Sequence, residues 1–198
     1  MAIRRFSTST IVNNLLRYAK FWDQTSTFTA APTNSYFPIA SYTVPSGGLS
    51  SVTFAGLPQT FTHLQIRYLV KNSSDSYQMA MQFNGVTSSD YFWHILNGNG
   101  SSATANGYTS QTYIGLPRTA PTTANVFYVG VVDILDYTSV VKNKTVKGLG
   151  GGDNNSAGHV DFTSGTWNNS STAISSIKLN ATTGNLAEYT NISIYGVN

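Results

Sequence analysis

The stretch VFYVGVVDIL, residues 126–135, carries the strongest secondary-structure signal in the chain. Its β-branched and aromatic residues favour strands, and an almost continuous apolar run of this length is typical of a strand that is buried on both faces. We therefore predict a strand at this position that is buried on both faces.

Short segments of similar character lie on both sides of this strand. Residues 64–70 and 77–83 alternate apolar with polar side chains, which is the period of two that half-buried strands have. Further strand candidates are residues 37–44, 50–54, 91–96, 111–114, 144–149, 159–162, 173–179 and 190–195. This succession of short strands, with no helical pattern between them, predicts an all-β protein whose fold is a jelly-roll-like β-sandwich.

The composition agrees with an all-β fold. Charged residues make up 10% of the 198 residues, compared with about 25% in average globular proteins. Ser, Thr and Asn supply about a third of the chain, and Glu188 is its one glutamate. A coiled coil is therefore excluded, and so are disulfides and thiolate metal sites, because the chain has no cysteine. No apolar run approaches the roughly 18 residues of a membrane-spanning helix, so we expect no membrane insertion.

The first 35 residues differ from the rest in charge. Arg4, Arg5, Arg17 and Lys20 all precede Asp23, the first acidic residue of the chain. A basic start without acidic residues is also typical of a mitochondrial transit peptide. A secretory signal is not indicated, because polar residues interrupt the apolar core that it would need. We expect residues 1–35 to form an N-terminal arm and linker, and residues 36–198 to form the β-sandwich head domain.

The arm has two candidate structures. Ile11, Leu15, Tyr18 and Trp22 recur at spacings of four, three and four, which fits one face of a short helix. An extended arm that docks through its aromatic side chains fits the same residues equally well. In either form, we expect the arm to be held by a partner.

Acidic and basic side chains offer little for catalysis. Asp133 and Asp136 form the one close pair of carboxylates, but an odd separation directs them to opposite faces of a strand. His159 and Asp161 would share a face of a strand, yet the chain has no HExxH or GxSxG motif. We therefore expect no enzyme activity, no metal site and no cofactor, and keep a polysaccharide-degrading enzyme as the weakest alternative.

Two further patterns have a structural explanation that we favour. The run GGGDNN at residues 150–155 is consistent with a phosphate or calcium site, but a wide surface turn is the simpler interpretation. Lys142, Lys144 and Lys147 cluster without a nucleic-acid-binding motif, so we expect a solvated sheet edge and no nucleic-acid partner.

Aromatic residues among Asn, Ser and Thr are candidates for carbohydrate binding. Tyr91, Trp93 and Trp167 are in such surroundings, where a flat apolar ring would lie beside neutral hydrogen-bonding groups. Alternate residues of a strand would instead be core, and both interpretations are kept for these three rings.

Several segments together resemble a family of small virion proteins of tailed bacteriophages, frequent in marine and cyanobacterial phages. The resemblance covers most of the chain, and its patterns concern packing and turns. The segments are YAKFWDQTSTFTAAPTNSYFPIASYTV (18–44), LPQTFTHLQIRYLVK (57–71), MQFNGVTSSDYFWH (81–94), NVFYVGVVDILDY (125–137), KNKTVKGLGGGDNN (142–155) and SGTWNNSSTAISSIKLNATTGNLAEYTNISIYGVN (164–198).

The resemblance implies a fiber, spike or decoration protein on the exterior of a virion, anchored by its N-terminus and commonly a homotrimer. Its partners would be neck, tail or capsid proteins and, for an outward-facing head, host-surface glycans. A capsid decoration or cement protein without a receptor role is the alternative. The anchor residues that follow from this assignment are Arg4, Arg5, Ile11, Leu15, Tyr18, Phe21 and Trp22.

Overall fold

The computed structural model describes residues 36–74, 78–120, 122–154 and 157–198, and Tyr36–Asn198 form one compact unit. Twelve β-strands and no helix occur in these residues. The strands are β1 (Phe37–Thr43), β2 (Val52–Ala55), β3 (His63–Val70), β4 (Met79–Phe83), β5 (Tyr91–Gly98), β6 (Ala103–Gln111), β7 (Ile114–Leu116), β8 (Tyr128–Leu135), β9 (Lys144–Asp153), β10 (Gly158–Trp167), β11 (Ser176–Ala181) and β12 (Asn191–Val197).

The strands form two antiparallel sheets in a sandwich-like arrangement, which confirms the predicted all-β fold class. The large sheet has eight strands in the order β1-β12-β3-β8-β9-β10-β5-β6, and the small sheet has four in the order β2-β11-β4-β7. Strands β8, β9 and β10 are neighbours both in the chain and in the sheet, where they pair in antiparallel fashion. The strand predicted at residues 126–135 is therefore central, as β8.

The hydrophobic core consists of the inward-facing residues of both sheets. Alternate residues of β3, β8 and β12 are buried, and the corresponding residues of β4 and β11 are buried as well. Phe83 of the small sheet lies 5.6 Å from Trp167 and 6.2 Å from Tyr91 of the large sheet, measured between ring centroids. These rings join the two sheets, and offset or tilted ring pairs of this kind are favourable beyond their buried area.

The glycine run of residues 150–152 belongs to β9, so the surface turn expected there is wrong. Strand β9 continues to Asp153 and pairs with β8 and β10 on its two sides. A Cβ atom on Gly150 would lie 2.7 Å from Cβ of Pro117, and one on Gly148 would lie 2.9 Å from Cδ of the same proline. The glycines thus let Pro117 pack directly against the strand backbone.

Tyr68 depends on a similar close approach. Its hydroxyl donates a hydrogen bond to the carbonyl oxygen of Pro117 over 3.1 Å, and its ring lies where a Cβ of Gly130 would be, 2.1 Å from the nearest ring atom. Burial raises the pKa of the Tyr68 phenol far above its usual value, and the negative charge of Asp161 adds to the effect. The tyrosine therefore remains neutral as a buried hydrogen-bond donor.

Strand β9 is central, and the solvated edge expected for its lysines is wrong for Lys144. This side chain is fully buried, and its Nζ donates to the carbonyl oxygens of Lys142 (3.0 Å) and Asn169 (2.9 Å). The ammonium also lies 5.7 Å from the ring centroid of Trp167. Burial lowers the pKa of Lys144, because the charged form loses its hydration.

Most of strand β6 lies between the strands predicted at residues 91–96 and 111–114, in a segment where the sequence predicted no strand. Strand β6 pairs with β5 at the edge of the large sheet, and all but one of its residues are exposed. Its Ser, Thr, Asn and Gly content hid it from a search for apolar alternation. In the described part of the chain, no helix has the length and hydrophobicity to cross a membrane.

The contact between Gly130 and Tyr68 predicts a large effect for a single added methyl group. We expect Gly130→Ala to lower the free energy of unfolding by about 1–3 kcal/mol, because Tyr68 must move out of a filled site. Urea-induced unfolding of the full chain measures the difference.

Gly98→Ala is the matched control, since the nearest atom to its new Cβ is 3.9 Å away. Its stability should stay within about 0.5 kcal/mol of the original protein. Equal losses for the two variants would contradict the packing described for Tyr68.

Candidate functional site

The candidate anchor residues lie outside the described part of the chain. They are Arg4, Arg5, Ile11, Leu15, Tyr18, Phe21 and Trp22, all within residues 1–35. Their assignment stays a prediction from the sequence, as does the extended or short-helical form of the arm.

The rings expected as glycan contacts are buried, which corrects that assignment. Tyr91 and Trp167 are 0% exposed and Trp93 is 1% exposed. Each is an inward-facing member of a strand of the large sheet, and Trp93 stacks on Tyr108 of β6 at 3.8 Å between ring centroids. The alternative interpretation as core residues is therefore confirmed, and none of the three rings offers a face to a sugar.

Asp133 and Asp136 each have a separate set of local partners. Asp133 accepts a hydrogen bond from Nε2 of Gln65 (2.8 Å) and lies 3.5 Å from Nζ of Lys147. Asp136 follows the end of β8 and accepts a hydrogen bond from Nζ of Lys142 over 2.7 Å. That hydrogen bond lowers the pKa of Asp136. The negative charge of each carboxylate is thus balanced by a neighbouring lysine, as expected of structural ion pairs.

His159 and Asp161 both lie on β10, and Arg118 connects them. The buried carboxylate of Asp161 accepts hydrogen bonds from the backbone N–H of Arg118 (2.9 Å) and from its Nε (3.1 Å). Nη1 of the same arginine lies 3.5 Å from Nε2 of His159. Sequence analysis identified the histidine and the aspartate but not Arg118, which is separated from them by more than 40 residues.

The outward face of the large sheet carries an aromatic and cationic cluster. The guanidinium of Arg67 lies 5.0 Å from the ring centroid of Tyr36 and 4.9 Å from that of Tyr195. Its Nε donates to Oε1 of Gln65 over 2.8 Å, and Gln65 in turn donates to Asp133. Sequence alternation places Arg67 outward on β3, but no local pattern indicates that the rings of two other segments flank it.

Beside this cluster the outward face is apolar. We call the following set of exposed side chains the apolar face: Leu69, Leu96, Val129, Val131, Leu149, Val160 and Phe162. They lie on β3, β8, β9, β10 and β5, and each is between 41% and 62% exposed. The sequence predicted β8 to be buried on both faces, whereas its outward residues are exposed in the single chain.

A shallow groove borders the apolar face towards the sheet edge. It has a volume of about 350 Å³ and is lined by residues of β5, β6 and β10, among them His94, Leu96, Gly107 and Phe162. A second recess of about 300 Å³ is lined by glycines together with Asn99, Asp153 and His159. Within the described residues, no three His, Asp or Glu side chains are grouped so that they could hold a metal ion.

Comparison of the chain with protein-family models, curated proteins and solved structures finds no match.

The surroundings of His159 predict a pH dependence of stability. Burial and the Arg118 guanidinium lower its pKa, while Asp161 opposes them. Because the unfolded state binds the proton more readily, the stability due to neutral His159 is complete above the unfolded pKa of about 6.5 and is lost as the pH falls below it.

We expect the free energy of unfolding to decrease from pH 7 to pH 5, and His159→Gln to make this decrease shallower. Urea unfolding at several pH values between these limits measures both slopes. His94→Gln, at an exposed position on β5, is the control. In this variant the free energy of unfolding should depend on pH as it does in the original chain. An identical slope in the original chain and in His159→Gln would contradict this assignment.

Proposed function

We propose that this chain is a structural protein of a bacteriophage virion, a short fiber or spike on the particle exterior. In this proposal, residues 1–35 attach it to a neck, tail or capsid protein, and the β-sandwich of residues 36–198 faces outward. The resemblance of the sequence segments to small virion proteins is the observation that carries the proposal.

The charge distribution supports an attachment role for the arm and an exposed position for the head. Four cationic residues precede the first acidic residue at position 23. The compact unit Tyr36–Asn198 begins just after the proposed arm, and its polar surface consists largely of neutral hydroxyl and amide groups. A basic segment beside a nearly neutral domain fits a protein that is held at one end and exposed at the other.

The local pairing of the carboxylates favours a structural role over hydrolysis of polysaccharides. Asp133, Asp136 and Asp161 each lie within 3.5 Å of a lysine or arginine nitrogen. A glycosidase needs two carboxyl groups that face each other across a sugar, one of them free to carry a proton. The three aspartates are instead used in separate ion pairs.

A decoration or cement protein without a receptor role is the second candidate. The burial of Tyr91, Trp93 and Trp167 favours it, because the aromatic residues expected to contact host glycans belong to the core. Heating particles that contain or lack the protein separates the two functions. If the chain is a cement protein, particles that lack it should release their genome at a lower temperature; if it is a fiber or spike, the release temperature should not change.

Attachment through the arm predicts that its charge is needed for incorporation into particles. We expect Arg4→Glu together with Arg5→Glu to reduce the copy number per purified particle at least about tenfold, because two favourable charge contacts become repulsive. Quantitative mass spectrometry of purified particles measures the copy number.

The matched control is Lys71→Glu together with Lys178→Glu, which makes the same change in net charge on the head. This control should be incorporated at the original level. Normal incorporation of the arm variant, or equal loss in the control, would refute attachment through the arm.

A further inference from the structure

The exposed side chains of the apolar face form continuous rows across the large sheet. Val131 pairs with Leu149, Leu149 with Phe162, and Phe162 with Leu96, so one row crosses β8, β9, β10 and β5. Neighbouring strands are about 4.8 Å apart, and the row is therefore about 14 Å long.

A second row runs beside the first. Leu69 pairs with Val129, Val129 with Gly151, and Gly151 with Val160. Gly151, between Val129 and Val160, has no side chain and leaves the apolar side chains on both sides exposed. Seven apolar side chains thus cover a broad and even area of sheet, unlike the scattered apolar residues of ordinary protein surfaces.

The outward face of the small sheet has no such rows. Thr53, Lys178 and Gln82 are register partners there, and all three are polar. The chain therefore covers one outward face with the polar residues expected of a solvated sheet, and the other with residues typical of a buried one. An apolar outward face of this kind is typical of a sheet that packs against another layer of protein.

The size of the apolar face is suited to a protein partner. Leu and Val side chains lie at or below the lower end of the roughly 150–250 Å² of an aromatic side chain, so the seven exposed fractions amount to roughly 500–600 Å². A stable protein interface buries about 800 Å² on each partner, which the apolar face reaches together with a border of polar residues.

The charges along this border point to a second copy of the same chain. Asp133 and Lys147 form an ion pair with each other, and Arg67 is flanked by Tyr36 and Tyr195. Among the described residues, no block of one charge sign borders the face and would call for a partner of opposite charge. An apolar sheet face can pack on a copy of itself, and two such sheets pack face to face about 10 Å apart.

We propose that the apolar face of the large sheet is the surface through which copies of this chain associate. Packing of this sheet face on its own copy is a two-fold contact, whereas the resemblance implies a homotrimer, so the proposal depends on the sheet surface and not on the virion role. A negative result in the isolated chain would leave attachment of the arm to particles as a separate question.

The first test compares oligomeric states of the full chain by analytical ultracentrifugation at about 1–100 μM. The original chain should sediment as an assembly of two or more copies. Leu149→Ser together with Phe162→Ser should raise the dissociation constant about 100-fold or more, because two large apolar contacts are lost.

Val140→Ser together with Val141→Ser is the matched control. These valines are 56% and 79% exposed but lie in the segment between β8 and β9, outside the apolar face. The control should associate as the original chain does. A monomeric original chain, or an unchanged dissociation constant in the Leu149 and Phe162 variant, would overturn the proposal.

A second measurement remains informative if the double variant fails to fold. Because the chain has no cysteine, Leu149→Cys introduces a single thiol on the apolar face and Lys178→Cys one on the small sheet. The maleimide reaction at position 149 should slow as protein concentration rises, while the reaction at position 178 should not change.

Two other outcomes would refute a second copy as the occupant. Rapid labelling of position 149 at every concentration would mean that the face is open to solvent. Slow labelling that does not depend on concentration, in a monomeric chain, would mean that the chain's own residues 1–35 cover the face.

Discussion

An eight-stranded sheet has two faces, and the described residues form a second sheet of four strands that covers one of them. The inner face is packed against the small sheet, where Phe83, Tyr91 and Trp167 meet. The outer face has no second layer among the described residues, although its central strands carry apolar side chains there. This difference in strand number between the two sheets explains why Tyr91, Trp93 and Trp167 are buried on the inner face. It also explains why apolar side chains remain exposed on the outer face, where we propose self-association.

The inner packing is close enough to dictate residue identity at particular positions. Glycines of β8 and β9 give Tyr68 and Pro117 direct access to the strand backbone, so a run that resembles a loop in composition is a central strand. Polar groups inside this layer have specific partners: Asp161 with Arg118, and Lys144 with two carbonyl oxygens. Buried charges with such partners stabilise one arrangement of the chain, since losing either partner would leave an unpaired charge in the core.

Sequence patterns were sufficient for the fold class and for most strands, because period-two alternation depends on local side-chain chemistry alone. They did not predict β6, because its small polar residues show no apolar alternation. They also did not predict that β9 continues through Gly150, because the residue that packs against this glycine, Pro117, is distant in the sequence. The choice between surface and core for Trp93 and Trp167 needed the position of the small sheet. Arg118 could not be assigned to Asp161 from sequence, since a contact between distant segments leaves no local pattern.

A second copy of the chain on the outer face of the large sheet would protect that face from solvent. Hydroxyl-radical footprinting of the unmodified full chain, at low and high protein concentration, measures this protection. We expect oxidation of Leu149 and Phe162 to fall at high concentration, while that of Tyr189, 68% exposed and outside the face, stays constant. Oxidation of Leu149 and Phe162 that does not change with concentration would exclude a second copy on this face.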